Sequence, residues 1–177
     1  MKTRQMAMDA MLSAMCAVLG YLAIDLGNLK ITFESLPVLL GALLFGPLDG
    51  SVIGGVGTLI YQLLRYGVSV TTPLWILPYV LAGWLCGYVA RKKAFSLSRR
   101  ETMILVVACE LLITLINTAV LYLDSVIFHY YFPGFITGSL ALRLVICVGK
   151  ALVFGAVLPE LVKASAKAAK INKSEAE

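Results

Sequence analysis

The sequence contains little charge and almost no histidine. Lys, Arg, Asp and Glu make up only 14% of the 177 residues, while 60% are hydrophobic and the mean hydropathy is +0.90. A soluble domain of this size needs far more polar surface than these residues can supply. The composition therefore excludes a soluble globular protein and predicts an integral membrane protein.

The residues and motifs of common catalytic sites are missing as well. His129, the single histidine, cannot form a two-histidine metal motif, and the motifs GxSxG, HExxH and GxxxxGKS/T do not occur. The four cysteines lie singly in apolar runs without CxxC spacing, which is typical of packing residues. We predict no enzyme activity, no bound metal and no cofactor. If the protein takes part in active transport, another subunit must supply the energy.

The basic residues mark one side of the predicted membrane. Eleven of the 15 Lys and Arg residues lie in three clusters, before residue 5, within 91–100 and within 163–173. Short loops rich in Lys and Arg stay on the cytoplasmic side. Four crossings between the first two clusters and two more before the third keep all three inside. We predict six transmembrane helices with both termini in the cytoplasm. Since the net charge of +5 arises from these flanks, we predict no nucleic-acid partner.

Apolar runs supply the six crossings. A helix needs about 20 residues to span roughly 30 Å of hydrocarbon, and the second and third runs are individually short. One kinked helix over 36–64 would leave three crossings and place 91–93 outside, so we predict a cytoplasmic turn at 46–50. The expected fold is an all-α membrane bundle forming a single domain over 1–177. Its spans are 8–26, 36–48, 50–66, 73–90, 101–123 and 137–162, followed by a basic cytoplasmic tail at 163–177.

Charge inside a membrane span is costly and needs a partner or a task, and this applies to Glu110 in the fifth apolar run and to Arg143 and Lys150 in the last. Glu110 and Lys150 come to similar depths when counted from the cytoplasmic flanks, which predicts a structural ion pair. Arg143 lies nearer the outer face, at a depth comparable to that of Asn117, and no acidic residue in a span matches it. Its guanidinium can either take a ligand carboxylate or reach the outer headgroups.

Outward-facing segments combine aromatic and polar residues. In the predicted topology these segments are 25–35, 65–73 and 124–137. Such a mixture is typical of a lid over a flat aromatic ligand, and equally of the aromatic belt at a membrane interface. Both interpretations remain open at this point.

The first helix carries a face of small residues near its cytoplasmic end. Ala7, Ala10, Ala14 and Ala17 recur at spacings of three and four, which places them on one side of a helix. A small-residue face lets another helix approach closely. That helix belongs either to a partner or to the bundle itself.

Several motifs resemble a known family. The segments Ile31–Pro37 (ITFESLP), Leu44–Gly50 (LFGPLDG) and Gly54–Gly57 (GGVG) resemble the second and third helices of the substrate-binding subunits of energy-coupling factor (ECF) vitamin transporters. Tyr61–Gly67 (YQLLRYG) and Thr71–Pro78 (TTPLWILP) look most like the folate branch. Helix number, length and topology agree over nearly the whole chain.

The resemblance implies a six-helix subunit of the bacterial cell membrane that captures a vitamin outside. Such a subunit docks on a module of one transmembrane coupling protein and two ATPases, which supply the energy for import. In the family an Ala-x-x-x-Ala face on the first helix contacts the coupling protein. Ala10 and Ala14 occupy the matching positions here.

The resemblance also implies an outward-opening pocket. A folate would need aromatic rings to stack on its pterin, hydrogen-bonding groups for the ring edge and a cation for its glutamate tail. The depth of each residue in the membrane and the chemistry of its side chain indicate the candidate ligand residues. They are Trp75, Tyr79 and Tyr122 for stacking, Asn117 and Glu34 for hydrogen bonds, and Arg65 or Arg143 for the tail.

The sequence is compatible with two classes of function. The first is a vitamin-binding subunit, for folate or for another compound such as pantothenate or a queuosine precursor. The second is a six-helix membrane scaffold that binds no ligand. A stand-alone channel or secondary carrier is disfavoured, because the sequence shows no convincing internal repeat and few buried charges.

Overall fold

Six helices and one short hairpin form the described part of the protein. The computed structural model describes residues 3–25, 30–129 and 135–174. The hairpin joins β1 (Ile24–Asp25) to β2 (Lys30–Ile31) in antiparallel pairing, between the first and second helices. The helices are α1 (Thr3–Tyr21), α2 (Ser35–Phe45), α3 (Pro47–Tyr66), α4 (Thr72–Lys92), α5 (Arg99–Ile127) and α6 (Phe135–Ser174). The predicted all-α bundle of six helices is confirmed, whereas the cytoplasmic position of the termini stays a prediction.

The helices differ in how readily each would cross a membrane alone. Within the described ranges, three helical segments have the length and hydropathy of a span: Thr72–Lys92, Arg99–Ile127 and Ala141–Ser165. The 11 residues of α2 extend only about 16 Å. Eight of the 11 residues of α2 are buried, and the other three are partly buried. Protein contacts therefore surround this short helix.

Glycines bring α3 against α4 at backbone distance. A Cβ atom on Gly54 would lie 2.7 Å from the carbonyl oxygen of Tyr79, and one on Gly50 would lie 2.8 Å from that of Gly83. Both distances are too short for any side chain, so only glycine permits this approach. The contact fixes the position of α4 and thereby of the Tyr79 side chain.

The connection between α4 and α5 is defined by a capping box. The Ser98 hydroxyl accepts a hydrogen bond from the Glu101 amide (3.2 Å), and the Glu101 carboxylate accepts one from the Ser98 amide (2.9 Å). Lys93 adds an exposed ion pair with Glu101 at 2.9 Å. The reciprocal bonds satisfy amides at the start of α5 and so determine where the helix begins. The start of α5 in turn sets the positions of Glu110 and Asn117.

Candidate functional site

A small polar cavity lies between α4, α5, α6 and the segment that joins β2 to α2. Its volume is about 70 Å³. Residues 113, 114 and 117 of α5 line one wall, and residues 143, 146, 147 and 150 of α6 line another. These spacings place each set on one face of its helix. The polar lining residues are Thr32, Tyr79, Thr114, Asn117, Arg143 and Lys150.

Two of the predicted ligand residues meet at the edge of this cavity. The Tyr79 hydroxyl donates a short hydrogen bond to Oε1 of Glu34. The side chains of Thr32 and Asn117 lie beside the same hydroxyl. Glu34 and Tyr79 are both buried. Because Thr32, Tyr79 and Asn117 line the cavity and Glu34 holds Tyr79, the four form one polar network.

Space for the Glu34 carboxylate depends on a glycine of α1. A Cβ atom on Gly20 would lie 2.8 Å from Oε2 of Glu34 and 2.9 Å from the Tyr61 ring. A larger residue at position 20 would therefore displace the carboxylate or the ring. The sequence contained no sign of this requirement, because Gly20 and Glu34 lie on either side of the hairpin.

The ion pair predicted from helix depth is confirmed. Nζ of Lys150 lies 3.0 Å from Oε2 of Glu110, and their side chains are 13% and 1% exposed, respectively. Lys150 also donates to the Ser35 hydroxyl at 3.4 Å, and its ammonium lies 5.6 Å from the centre of the Phe154 ring. The pair thus joins α5 and α6 to the start of α2. Lys150 borders the cavity as well, which the sequence did not indicate.

Arg143 and Asn117 line the same cavity from opposite helices. The sequence predicts comparable depths for these two residues, and both side chains border this cavity. The Arg143 side chain is half-buried. A guanidinium and an amide on facing walls can bind a carboxylate together, because both present N–H donors.

Three other candidates lie outside this cavity. Arg65 donates to the backbone carbonyl of Tyr21 at 3.0 Å, where the C-terminal ends of α3 and α1 meet. The indole N–H of Trp75 points to Oδ1 of Asp124 at 3.4 Å, linking α4 to α5. Tyr122 is 47% exposed on α5. Depth and chemistry predicted from the sequence therefore do not suffice to bring these three side chains to the cavity.

Three further polar residues line the cavity although the sequence did not predict them as ligand residues: Thr32, Thr114 and Lys150. Thr114 precedes Asn117 by three residues and shares its face of α5. Lys150 follows Arg143 by seven residues and shares its face of α6. Helical spacing could have identified Thr114 from Asn117 and Lys150 from Arg143. Thr32 belongs to an irregular segment, so no periodicity could have identified it.

The small-residue face of α1 is open in the described structure. Ala7, Ala10 and Ala14 are exposed, and Met11 beside them is 72% exposed. Ala17 is buried, because α1 packs onto the bundle at that point. The described helices therefore do not use Ala10 and Ala14 for internal packing.

The described residues form a helical bundle of membrane-protein composition with a polar cavity between α4, α5 and α6. A family model described as "ECF transporter, substrate-specific component" matches residues 4–169. The protein belongs to this family of membrane-embedded, vitamin-binding transport components, which work with ECF modules. The family is a transport component and not a known enzyme class.

Solved structures agree with this fold. An S-component for biotin from an ECF-type ABC transporter is 20% identical, with 92% of each chain covered and a TM-score of 0.67. FolT bound with folic acid is also 20% identical, with 85% of this chain and 91% of that chain covered and a TM-score of 0.59. A search of curated proteins found no match. At this identity the likeness establishes the fold.

Proposed function

We propose that the protein captures an anionic vitamin outside a bacterial cell and delivers it to an ECF importer. Folate is the first candidate for this vitamin. The supporting observation is the cavity, where Asn117 and Arg143 present amide and guanidinium N–H groups to one space. A carboxylate is bound by N–H donors of this kind. Folate carries carboxylates on its glutamate tail.

The size of the cavity indicates how such a ligand would bind. Ligand pockets commonly measure about 300–1,000 Å³, whereas this cavity holds about 70 Å³. In our proposal the cavity receives one end of the vitamin, and the remainder lies towards the outer segments. Trp75, Tyr122 and Arg65 belong to that outer region and keep their proposed roles in stacking and charge recognition.

Biotin is the second candidate, because the small volume of the cavity favours a smaller vitamin with one carboxylate. The structure with the TM-score of 0.67 is that of a biotin S-component. Pantothenate also carries a single carboxylate and belongs in the same test. A queuosine precursor is the remaining vitamin-like alternative.

The open face of α1 fits the proposed docking role. Ala10 and Ala14 are exposed on α1, so a helix of the coupling protein can approach the α1 backbone there. Two ATPases bound to that coupling protein would drive import. We place the protein as a multi-pass component of the bacterial plasma membrane, with both termini in the cytoplasm.

The proposal is tested by titrating the detergent-purified subunit with folic acid, biotin and pantothenate while recording tryptophan fluorescence. Trp84 stacks on Tyr88 at 5.4 Å, and both side chains are exposed, away from the cavity. W84F therefore leaves Trp75 as the reporter. Saturable quenching by folic acid with a nanomolar Kd supports the folate assignment. Tight binding of another vitamin would identify that vitamin as the substrate. If neither fluorescence nor calorimetry detects binding, a membrane scaffold without a ligand is favoured.

A further inference from the structure

We propose that Lys150 binds the carboxylate of the vitamin together with Arg143, and that Glu110 is its positioning residue. The inference rests on the proposed function, since it concerns the same cavity. It changes the role of the Glu110–Lys150 pair, which the sequence presented as purely structural. It also specifies the ligand class as an organic acid whose anionic end lies beside α6.

The contacts of Lys150 leave room for a ligand. Its ammonium group has three N–H donors. Among the described residues, its polar partners are the Glu110 carboxylate, in an ion pair at 3.0 Å, and the Ser35 hydroxyl, which accepts a hydrogen bond at 3.4 Å. The side chain also borders the cavity. One further acceptor entering from the cavity would complete the set of hydrogen bonds.

The order of charges around the cavity favours an anion. Among the described residues that line it, the two charged ones are Arg143 and Lys150. Glu110 stands behind Lys150, and Glu34 stands behind Tyr79, each almost completely buried. A ligand entering the cavity therefore meets cations and N–H or O–H donors before it meets a carboxylate. A carboxylate is attracted by this arrangement, and an ammonium group is repelled.

Both cations can reach one carboxylate. Arg143 and Lys150 are seven residues apart, which places them on one face of α6 with a rise of about 10 Å between their Cα atoms. Both side chains nevertheless border one cavity of about 70 Å³. The two residues are about two helical turns apart, and in our proposal the anionic end of the vitamin lies between them.

A purely structural role accounts poorly for this pair. Desolvating two charges costs about as much as their attraction returns, so an apolar pair would often stabilise a bundle equally well. A structural pair also gains nothing from bordering a cavity. Recognition of a carboxylate explains why a cation is held at this depth. Glu110 then serves to hold the Lys150 ammonium at the cavity wall.

The test compares each acid with its neutral amide. Folic acid and its diamide, and biotin and biotinamide, are titrated calorimetrically against wild type and K150M. If Lys150 contacts the carboxylate, K150M weakens binding of the acid by about 10- to 100-fold, the usual range for a hydrogen bond to a charged group. Binding of the amide should change less than about two-fold, because the lost contact is specific to the charge.

K163M is the matched control on the same helix. Lys163 pairs with Glu160 at 3.6 Å, and both side chains are more than half exposed. Removing this ammonium alters a surface ion pair that is worth little. Binding of acid and amide should both match wild type. A loss in K163M equal to that in K150M would show a general charge effect and overturn the assignment.

The role of Glu110 is tested by a double-mutant cycle. E110Q should weaken binding of the acid, because the Lys150 ammonium is no longer held in place. In the K150M background the same change should have no further effect on the acid, since Glu110 acts through Lys150. Additive losses would refute the positioning role. K150R, which keeps the charge, should recover part of the preference for the acid over the amide.

The outcomes separate this inference from the function on which it rests. Wild type that binds none of folic acid, biotin and pantothenate overturns both. Wild type that binds an acid, with K150M lowering acid and amide affinity equally, overturns the inference alone. If K150M does not fold, E110Q supplies the same comparison of acid with amide, and an unchanged acid preference in E110Q overturns the inference.

Discussion

The α3–α4 and α5–α6 interfaces differ in how closely their backbones approach. At the first, Cβ atoms on Gly50 and Gly54 would lie within 2.8 Å of carbonyl oxygens of α4. At the second, a Cβ on Gly155 would lie no closer than 3.4 Å to any atom of Met103, with the Met103 Cα at 3.7 Å. Backbone contact leaves no space for a ligand. Side chains keep α5 and α6 further apart, and the polar cavity lies on their side of the bundle.

Breaking the tight interface should have the largest effect. In G54L the new side chain cannot fit against the Tyr79 carbonyl, so α3 and α4 must separate. Overpacking costs about 1–3 kcal/mol or more, and we expect little folded protein. Thermal unfolding in detergent measures the loss. G149A adds a methyl group where the structure has open space and should retain the Tm of wild type. Equal Tm values for the two variants would contradict the described α3–α4 contact.

The second prediction separates docking from binding. A14L places a bulky side chain on the exposed face of α1, where it would obstruct a helix of the coupling protein. We expect uptake by the assembled complex to be abolished. The Kd of the isolated subunit should stay unchanged, because position 14 lies away from the cavity. Loss of vitamin binding in A14L would instead assign this face to the packing of the bundle.

The third prediction compares the cavity with the outer end of α3. R143M removes a guanidinium from the cavity wall and should raise the Kd for an acidic vitamin by about 10- to 100-fold. R65M should have a smaller effect, because Arg65 contacts the Tyr21 carbonyl outside the cavity. Calorimetry of the purified subunit measures both. An unchanged Kd in R143M would refute its role, and a larger loss in R65M would move the anionic end outward.

The smallest effect is expected from removing one hydroxyl group. Y79F deletes the donor to Glu34 and leaves the carboxylate buried, which costs about 1–3 kcal/mol of stability. We expect a lower Tm and a several-fold higher Kd. Y88F, which alters an exposed tyrosine of the same helix, is the control. The interpretation fails if Y79F and Y88F have the same Tm and Kd.

Patterns along single helices could be interpreted correctly from the sequence. The apolar runs and basic flanks predicted six helices, and counting residues along α5 and α6 paired Glu110 with Lys150. Equal depth also related Asn117 to Arg143. These inferences succeed because the rise per residue of a helix is constant. Depth along the membrane normal is therefore readable from residue number alone.

Contacts between helices or with loops could not be interpreted in this way. Trp75 and Tyr79 share a face of α4, yet Tyr79 borders the cavity while Trp75, one turn earlier, contacts Asp124. Thr32 reaches the cavity from the irregular segment after β2. Which side chain reaches a cavity depends on helix tilt, rotation and the path of the connecting segments, and one sequence does not specify these quantities.

Composition and charge distribution by themselves determined that this protein is a membrane bundle of six helices, because hydrocarbon excludes unpaired backbone groups and charge. The family motifs indicated which protein family it belongs to. Only the tertiary structure decided that Glu34 holds Tyr79 and that Lys150 opens to the cavity. Those contacts join α4 to a loop and α6 to α2 and α5, and they form only when glycine contacts and side-chain volumes have set the spacing of the helices.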